Sequence, residues 1–190
     1  KFRYQNGVYF MYSDNPLGLS DWKNYKGEPI QLPLIDASPA LVVETGDWVK
    51  TQKKDSVYIV GGFDWTITDN GDVHIISRVQ DKENKTVVNL HHYKPVGSKE
   101  FITSEDFVGA NNIYTSGDNV YIIGLENGQP YIEQAKGGTN AFTRVYSGTK
   151  RSANFSKGVV HISEGKLYFY LLAEGSGDRR TTYLQVINLY

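Results

Sequence analysis

Gly117-Asp118-Asn119-Val120-Tyr121-Ile122-Ile123 is one copy of a pattern in which a glycine turn precedes a run of β-branched and aromatic residues. The other clear copies are Asn70-Gly71-Asp72-Val73-His74-Ile75-Ile76 and Glu164-Gly165-Lys166-Leu167-Tyr168-Phe169-Tyr170. Tyr121 lies 47 residues after His74, and Tyr168 lies another 47 residues after Tyr121. A fourth copy, around Tyr9, lies 65 residues before His74, so we expect an insertion of 18 residues within 29–47. Equal spacing of this kind is the signature of a repeat architecture.

Each copy predicts a β-strand that follows a tight turn. Glycine allows a positive φ in the turn, and the alternating residues after it suit a pleated sheet. Partner strands are predicted over 85–93, 130–134 and 181–189, and no stretch has a helical period. Four-stranded propeller blades repeat about every 40 to 50 residues. The spacing therefore predicts an all-β fold made of β-propeller blades.

We expect about four repeats of 47 residues in one propeller segment, with blades near 1–48, 49–97, 98–145 and 146–190. The first repeat lacks its innermost strand and the chain ends inside a predicted strand, so an incomplete ring is favoured over a small four-bladed propeller. An open blade edge invites pairing with another chain. The alternative is a β-sandwich whose hairpins match by chance.

The composition limits the classes of function. The chain has 190 residues, of which 39% are hydrophobic and 22% charged, with a net charge of −1. No basic stripe interleaves with aromatic residues and no apolar run approaches a membrane span, so neither nucleic acid nor membrane is an expected partner. The absence of cysteine excludes disulfides, thiolate zinc sites and cysteine nucleophiles. The 14 tyrosines suit sheets with one wet face and surfaces that bind sugars.

The segment from Tyr12 to Trp22 resembles a lengthened Asp-box, the Ser-Asp-Gly-Trp turn of sialidase-like propellers. In that turn the aspartate, here Asp14, accepts hydrogen bonds from turn amides, and the tryptophan fills the gap between blades. The motif supports the fold and carries little information about function.

Histidine can act as a base, an acid or a metal ligand. His91 and His92 are adjacent in a predicted strand, so their side chains should point to opposite faces. His74 takes the position that tyrosine holds in other repeats, which favours a packing role, and His161 occupies an ordinary strand position. Arg78 shares a face with His74 and is either a carboxylate-binding guanidinium or a solvated strand end.

Polar residues also begin the strands that we expect at the centre of the propeller. Propeller ligands bind around the central funnel, and a buried polar group needs a partner, which a saccharide could provide. The residues in these positions are Asp64 with its neighbour Trp65, Asn111, Asn112 and Lys157.

No phosphate loop, nucleophile elbow, His-Glu-x-x-His motif or calcium loop is present, and no carboxylate pair for glycoside hydrolysis can be assigned. We therefore expect no cofactor in the chemistry and no metal in the site. A structural Ca²⁺ ion stays an alternative that no motif supports.

The stretches 9–14, 22–24 and 27–33, followed by Gly62-Phe63-Asp64-Trp65 and Leu90-His91-His92-Tyr93, resemble the BNR-type propeller lyases. These are the ulvan lyases of polysaccharide lyase families 24 and 25 and related rhamnose–glucuronate lyases. The resemblance covers most of residues 1–95 and continues afterwards as the blade pattern alone.

The resemblance implies a seven-bladed propeller that cleaves a uronic-acid polysaccharide by β-elimination. An arginine neutralises the uronate carboxylate, a histidine or tyrosine removes the C5 proton, and a tyrosine protonates the leaving oxygen. In the family these catalytic motifs mostly lie upstream of the matching segment, so no catalytic residue is assigned here. Arg3 stands where the family often has a Trp-Arg pair and is a predicted substrate-binding residue.

The leading hypothesis is the C-terminal part of a secreted or periplasmic lyase for an acidic polysaccharide such as ulvan. Its partner would be the N-terminal part of the same protein, which completes the propeller. Arg78, His92 and Asn112 would line the substrate groove, with Arg3, Asp64, Trp65, His74, Asn111 and Lys157 as further binding residues. The alternatives are a non-catalytic carbohydrate-binding or scaffold propeller and, disfavoured by the lack of an arginine triad, a sialidase-like hydrolase.

Overall fold

A computed structural model describes residues 7–49, 57–59, 63–149, 153–177 and 179–189. In these residues the chain is all-β, and its helical structure is limited to two short 3₁₀ segments, Ser38–Ala40 and Thr45–Trp48. No helix among them is long and apolar enough to cross a membrane. The predicted fold class is therefore confirmed at the level of an all-β protein.

The strands of the first half are β1 (Gly7–Tyr9), β2 (Met11–Ser13), β3 (Trp22–Asn24), β4 (Pro29–Ile30), β5 (Leu41–Glu44), β6 (Val57–Ile59), β7 (Asp64–Ile67), β8 (Val73–Asp81) and β9 (Thr86–Lys94). Those of the second half are β10 (Ile102–Glu105), β11 (Ala110–Ser116), β12 (Asn119–Glu126), β13 (Gln129–Lys136), β14 (Thr143–Ser147), β15 (Phe155–Ser163), β16 (Lys166–Ala173) and β17 (Thr182–Asn188).

The strands form five antiparallel sheets. Sheet I pairs β1 with β5, and sheet II has the order β2-β3-β4. Sheet III has the order β10-β9-β8-β6, with β7 also paired to β8. Sheet IV has the order β11-β12-β13-β14, and sheet V has the order β15-β16-β17. Sheets IV and V are thus meanders in which strands adjacent in sequence pair with each other, and β7 to β10 of sheet III follow the same order while β6 pairs with β8.

The three clear sequence repeats fall at the same place in the three meanders. His74, Tyr121 and Tyr168 lie on β8, β12 and β16, each of which pairs with the strand before and after it in its meander. The predicted partner strands are confirmed as β9, β13 and β17, with ends that shift by one to two residues. The three sequence copies therefore lie on corresponding strands of three successive sheets.

The predicted insertion between the first two repeats, residues 29–47, contains β4, β5, the first 3₁₀ segment and most of the second. Phe10 N–H donates to the Ala40 carbonyl at 2.8 Å, which ties this segment to the junction of β1 and β2.

The core lies between the sheets. Ile76 of sheet III packs with Val120 and Ile122 of sheet IV. On the opposite face of sheet IV, Tyr121 and Ile123 pack with the buried residues Leu167, Phe169 and Leu171 of sheet V. Residues adjacent in β12 therefore face different neighbouring sheets, as the period of two in a strand requires.

The turn that resembles an Asp-box differs from the predicted arrangement. The Asn15 amide donates to Ser13 Oγ at 3.3 Å and Ser20 Oγ at 3.1 Å, and the Leu17 amide donates to Asn15 Oδ1 at 2.8 Å. Asp14 instead forms an exposed ion pair with Lys23. The role predicted for Asp14 is therefore wrong, because the hydroxyls of Ser13 and Ser20 and the side-chain carbonyl of Asn15 accept these hydrogen bonds.

Two glycines with nearly the same φ allow a test of the close approach between the backbones of Gly109 and Leu125. Gly109 has φ +73°, and a Cβ there would lie 1.8 Å from the Leu125 carbonyl oxygen. Gly97 has φ +76°, and a Cβ there would meet nothing within 4 Å. We expect Gly97→Ala to cost about 1 kcal/mol of unfolding free energy, from backbone strain alone. Gly109→Ala should cost about 3 kcal/mol or more, because the clash is with backbone. Urea denaturation measures both, and equal losses would contradict the proposed close approach.

Candidate functional site

An open groove of about 830 Å³ lies between the strands β1 and β2 and the strand β7. Among the residues that the structure describes, its lining is mainly apolar and aromatic and contains no charged side chain; it includes Tyr9, Met11, Tyr12, Trp22, Phe63 and Trp65. Ser13 and Asn15 add polar groups at one end. A groove of this composition suits a ligand with a flat apolar face and few charges.

The aromatic rings of the groove are accessible. Trp65 is 56% exposed, Phe63 49% and Tyr9 47%. Trp65 is a predicted site residue, whereas Phe63 and Tyr9 were missed. The signal for Phe63 was available, because residues 63, 65 and 67 share one face of a strand by the period of two. The role of Tyr9 could not be predicted, because it depends on how β1 lies relative to β7.

Asp64 points away from the groove and connects two sheets. Its Oδ2 accepts a hydrogen bond from the Ile113 amide at 3.0 Å, and Asn112 Nδ2 lies 3.5 Å from the same oxygen. Two residues further along each strand, the hydroxyls of Thr66 and Thr115 are 3.2 Å apart. The structure therefore brings the predicted residues Asp64 and Asn112 together, but in a contact between sheets III and IV.

A similar contact joins the next two sheets. Asn111 Nδ2 lies 3.5 Å from the Gly158 carbonyl of β15, and its Oδ1 is buried without a hydrogen-bond partner. Lys157, the neighbour of Gly158, is exposed. Of the polar residues predicted at the starts of the inner strands, Lys157 thus keeps a solvent-exposed position while Asn111 helps to hold the sheets together.

His74 and His91 form a stacked pair in the interior. His74 Nδ1 and His91 Nε2 are 3.2 Å apart, and the rings are tilted by only 17°. Phe107 and Phe142 pack edge-on against His91. His74 is fully buried, and its Nε2 has no hydrogen-bond partner. This environment favours the packing role for His74 over contact with a substrate.

His92 lies on the other face of the same sheet, as predicted for adjacent strand residues. Its Nε2 is 2.9 Å from Ser77 Oγ, and its Nδ1 is 2.9 Å from Thr103 Oγ1. Both ring nitrogens are thus engaged in a fully buried site. The structure therefore places His92 in the interior, where a substrate does not reach it.

Arg78 and His92 are not brought together. Arg78 pairs across the sheet with Asn89, and Ile75 pairs with His92. Since successive residues alternate between faces, Arg78 shares a face with His74, as predicted, while His92 lies on the opposite face. The register of β8 and β9 therefore contradicts the prediction of a single groove lined by Arg78, His92 and Asn112. Arg3 lies outside the described residues.

Burial controls the charge of the three interior histidines. Desolvation lowers the pKa of His74 to about 4, although the nearby Asp72 carboxylate partly opposes the shift. Desolvation, followed by repulsion from His74 and His92, lowers the pKa of His91 to about 3. Desolvation alone lowers the pKa of His92 to about 4. All three imidazoles are neutral at pH 7 and are shielded from solvent.

Arg144, which the sequence analysis did not select, is occupied by two carboxylates. Its Nε lies 2.5 Å from Glu133 Oε1 and its Nη1 lies 3.1 Å from Glu126 Oε2. The guanidinium also stacks 4.1 Å from the centre of the Tyr131 ring. Its charge is thus already balanced, and it is poorly placed to bind a uronate. Within the described ranges, no group of three or more His, Asp or Glu side chains could hold a metal ion.

The structural comparison identifies a class of protein. The solved structure of the polysaccharide lyase Uly1 matches this chain with a TM-score of 0.78 and 53% sequence identity. The match covers 99% of this chain and 41% of the Uly1 chain. This fold is therefore similar to part of a polysaccharide lyase. No family model matches the chain.

The sequence relatives are more specific. The chain is 52% identical over 193 residues to the long isoform of ulvan lyase from Alteromonas sp. The same values hold for the long isoform from Pseudoalteromonas sp. (strain PLSV), and the short isoform from Alteromonas sp. (strain LOR) is 46% identical over 196 residues. Each match includes the whole chain but spans only 19% of the long isoforms and 36% of the short one. The predicted resemblance to ulvan lyases is confirmed, whereas a C-terminal location and BNR-type repeats stay predictions.

The buried histidines predict how stability depends on pH. Their folded pKa values lie below the value of about 6.5 expected in the unfolded chain, so the unfolded state binds more protons in acid. The stabilisation is complete above pH 6.5 and is lost as pH falls from about 6.5 towards 4. We expect each histidine to contribute a loss on the order of 2–3 kcal/mol over this range.

Two variants separate this effect from the titration of carboxylates. His92→Asn should be less stable than wild type at pH 7 but should lose less stability between pH 6.5 and 4. His161→Asn, at an exposed position, should follow the wild-type profile. Urea denaturation at several pH values gives the profiles, and identical slopes for wild type and His92→Asn would refute a buried neutral His92.

Proposed function

We propose that the chain is part of a polysaccharide lyase that cleaves a uronic-acid-containing polysaccharide, such as ulvan, by β-elimination. The observation that carries this proposal is the identity of 46–52% to ulvan lyases over the whole chain. The match to the polysaccharide lyase Uly1 at 53% identity supports it. The chain spans well under half of each of these relatives, so the activity is proposed for a protein that includes this chain.

In β-elimination a base removes the C5 proton of the uronate, the C4–O bond breaks, and a C4=C5 double bond forms while the leaving oxygen gains a proton. The base must reach the sugar. His74, His91 and His92 are buried and cannot do so in this structure. Because the family resemblance also implies catalytic motifs upstream of this segment, we propose that catalytic groups come from polypeptide outside this chain, the predicted N-terminal part being the partner.

We further propose that sheets III to V are blades of a β-propeller with the seven blades that the family resemblance implies. Three features support this: the 47-residue spacing, the meander order of each sheet, and the face-to-face packing of successive sheets. Of the predicted blade boundaries, the one near residue 48 precedes sheet III, whereas those near 97 and 145 fall between β9 and β10 of sheet III and within β14 of sheet IV.

We assign the groove around Trp65 to the binding of saccharide. Aromatic rings pack well against the C–H faces of sugars, and Trp and Tyr add polar groups at their edges. Because the described part of the lining carries no charge, the groove should hold an uncharged part of the polymer rather than the uronate. Lys157 and Arg78 remain proposed contacts for the anionic groups.

A protein that cleaves a large polymer must meet it outside the cytoplasm, which supports a secreted or periplasmic location. The second candidate function is a non-catalytic carbohydrate-binding or scaffold propeller. The uncharged aromatic groove and the burial of three histidines favour it as the alternative.

A chimera tests the lyase proposal. This chain would replace the matching segment of the short isoform of ulvan lyase from Alteromonas sp. (strain LOR). We expect the chimera to cleave ulvan and to produce the ultraviolet absorbance of unsaturated uronates. A folded chimera that binds ulvan without cleaving it would favour the non-catalytic alternative.

Substitutions in the groove test the binding proposal. Trp65→Ala should weaken the binding of ulvan oligosaccharides to this chain by about fivefold or more, equivalent to about 1 kcal/mol. Trp65→Tyr should retain most of the affinity because it keeps an aromatic face. The matched control is Ile35→Ala, which removes a side chain that is 95% exposed and lies outside the groove. Calorimetric titration measures the affinities, and a Trp65→Ala protein that binds like wild type would rule out this site.

A further inference from the structure

A second cleft lies between sheets IV and V, and we call it the IV–V cleft. Its volume is about 390 Å³, which falls within the range of about 300–1,000 Å³ that is usual for small-molecule sites. Among the described residues, it shares no lining residue with the groove around Trp65. The side chains that give the cleft its character are those of Gln129, Tyr146, Thr149, Phe155, Tyr183 and Gln185.

Three aromatic rings form the apolar part of the IV–V cleft. Tyr146 comes from β14, Phe155 from the start of β15, and Tyr183 from β17. Phe155 and Tyr183 pack edge-on, with ring centroids 5.5 Å apart. All three side chains are half-buried and pack against the apolar core that sheets IV and V share. The rings are therefore anchored on the core side, so their positions are fixed before a ligand arrives.

Two glutamines provide the polar part of the cleft. Gln185 Nε2 donates a hydrogen bond to the Tyr146 hydroxyl oxygen, across the gap between the two sheets. Gln129 Nε2 donates to the Ala153 carbonyl at 3.0 Å and to Asn154 Oδ1 at 3.1 Å. In the part of the chain that the structure describes, no hydrogen bond engages the carboxamide oxygen of either glutamine. These oxygens can accept hydrogen bonds from a ligand, and the Tyr146 hydroxyl can still donate one.

Backbone hydrogen bonds hold the walls of the cleft. Gly148 N–H, just after β14, donates to the Pro130 carbonyl at 2.7 Å. Phe155 N–H, at the start of β15, donates to the Gly128 carbonyl at 2.8 Å. Both ends of the connection between the two sheets are thus tied to the β12–β13 hairpin. A ligand that enters the cleft therefore has little chain to order, which lowers the free-energy cost of binding.

The lining indicates the chemical class of the ligand. Aromatic rings pack against flat C–H faces, and the carboxamide oxygens with the Tyr146 hydroxyl can exchange hydrogen bonds with several hydroxyl groups. The described lining residues include no charged side chain. A carboxylate or sulfate in this cleft would lose water without gaining a cation, which costs free energy. An uncharged ligand with many hydroxyl groups satisfies these conditions.

We infer that the IV–V cleft is a second saccharide site, which binds an uncharged sugar unit. The ring of Tyr183 packs on the sugar face, and Gln185 and Tyr146 bind its hydroxyl groups. The inference rests on the polysaccharide part of the proposed function but not on cleavage. Because the cleft and the groove around Trp65 are separate, one chain can hold two segments of a polymer at once, and such paired contacts raise the overall affinity.

Carboxyl-reduced ulvan oligosaccharides, in which each uronate has become a neutral hexose, are the probe for this site. Reduction removes the carboxyl group that makes the C5 proton acidic, so the chimera with the short isoform cannot cleave the probe by β-elimination. The titration is made in a chimera that carries Trp65→Ala, so that the groove contributes little. There Gln185→Ala should weaken binding about fivefold or more, as measured by calorimetry, because a hydrogen-bonding group in contact with the sugar is lost.

Gln134→Ala is the matched control. Gln134 is likewise a half-buried glutamine in a strand, but it lies outside the lining of the cleft. We expect it to leave the affinity within about twofold of the parent chimera. Equal effects of Gln185→Ala and Gln134→Ala would overturn the inference. Binding that requires the unreduced, acidic oligosaccharide would also overturn it, because the cleft would then recognise charge.

Nuclear magnetic resonance of the isolated chain gives a second measurement, which needs no substitution in the cleft. The carboxamide signals of Gln185 and the amide signals of Gly148 and Tyr183 should shift when the reduced probe is added. Shifts at the groove around Trp65 alone would overturn this inference and leave the proposed function intact. A chain in which neither site responds would contradict both. If the cleft responds in the isolated chain but Gln185→Ala has no effect in the chimera, the inference also fails, since other polypeptide then covers the cleft.

Discussion

Burial of alternate residues between successive sheets is the interaction on which the rest of this structure depends. In β12, Val120 and Ile122 are buried against sheet III while Tyr121 and Ile123 are buried against sheet V, and all four are fully buried. Full burial of such side chains contributes about 1.5–3 kcal/mol each. A slip of one residue would exchange the two faces. The glycine turns before these strands therefore matter because they fix the register.

This arrangement limits where polar chemistry can occur. Polar groups between sheets must be paired, and the contacts of Asp64 with Ile113 and Asn112 satisfy that requirement. His92 meets it through Ser77 and Thr103. These residues have functional side chains but are used to join or fill the sheets. Accessible chemistry remains only where a sheet face or groove is open.

The sequence was enough to predict an all-β fold, but not which side chains would meet across neighbouring strands. The spacing of 47 residues and the alternation along β8, β12 and β16 are local properties that the sequence displays directly. Whether Arg78 and His92 meet depends on the pairing of β8 with β9, which places them on opposite faces. Similarly, Asp14 or Ser13 could accept the turn amides, and only the path of the turn decides between them.

The burial of three histidines supports the proposal that a lyase activity requires more than this chain. A uronate carboxylate must be neutralised for its C5 proton to be removed, which calls for accessible cations and a solvent-exposed base. In the part of the chain that the structure describes, Arg144 is paired with two glutamates and three of the four histidines are neutral and buried. In the described residues, the lining of the aromatic groove carries no charged side chain. These properties fit the proposal that other segments of a longer protein bring the groups that move protons.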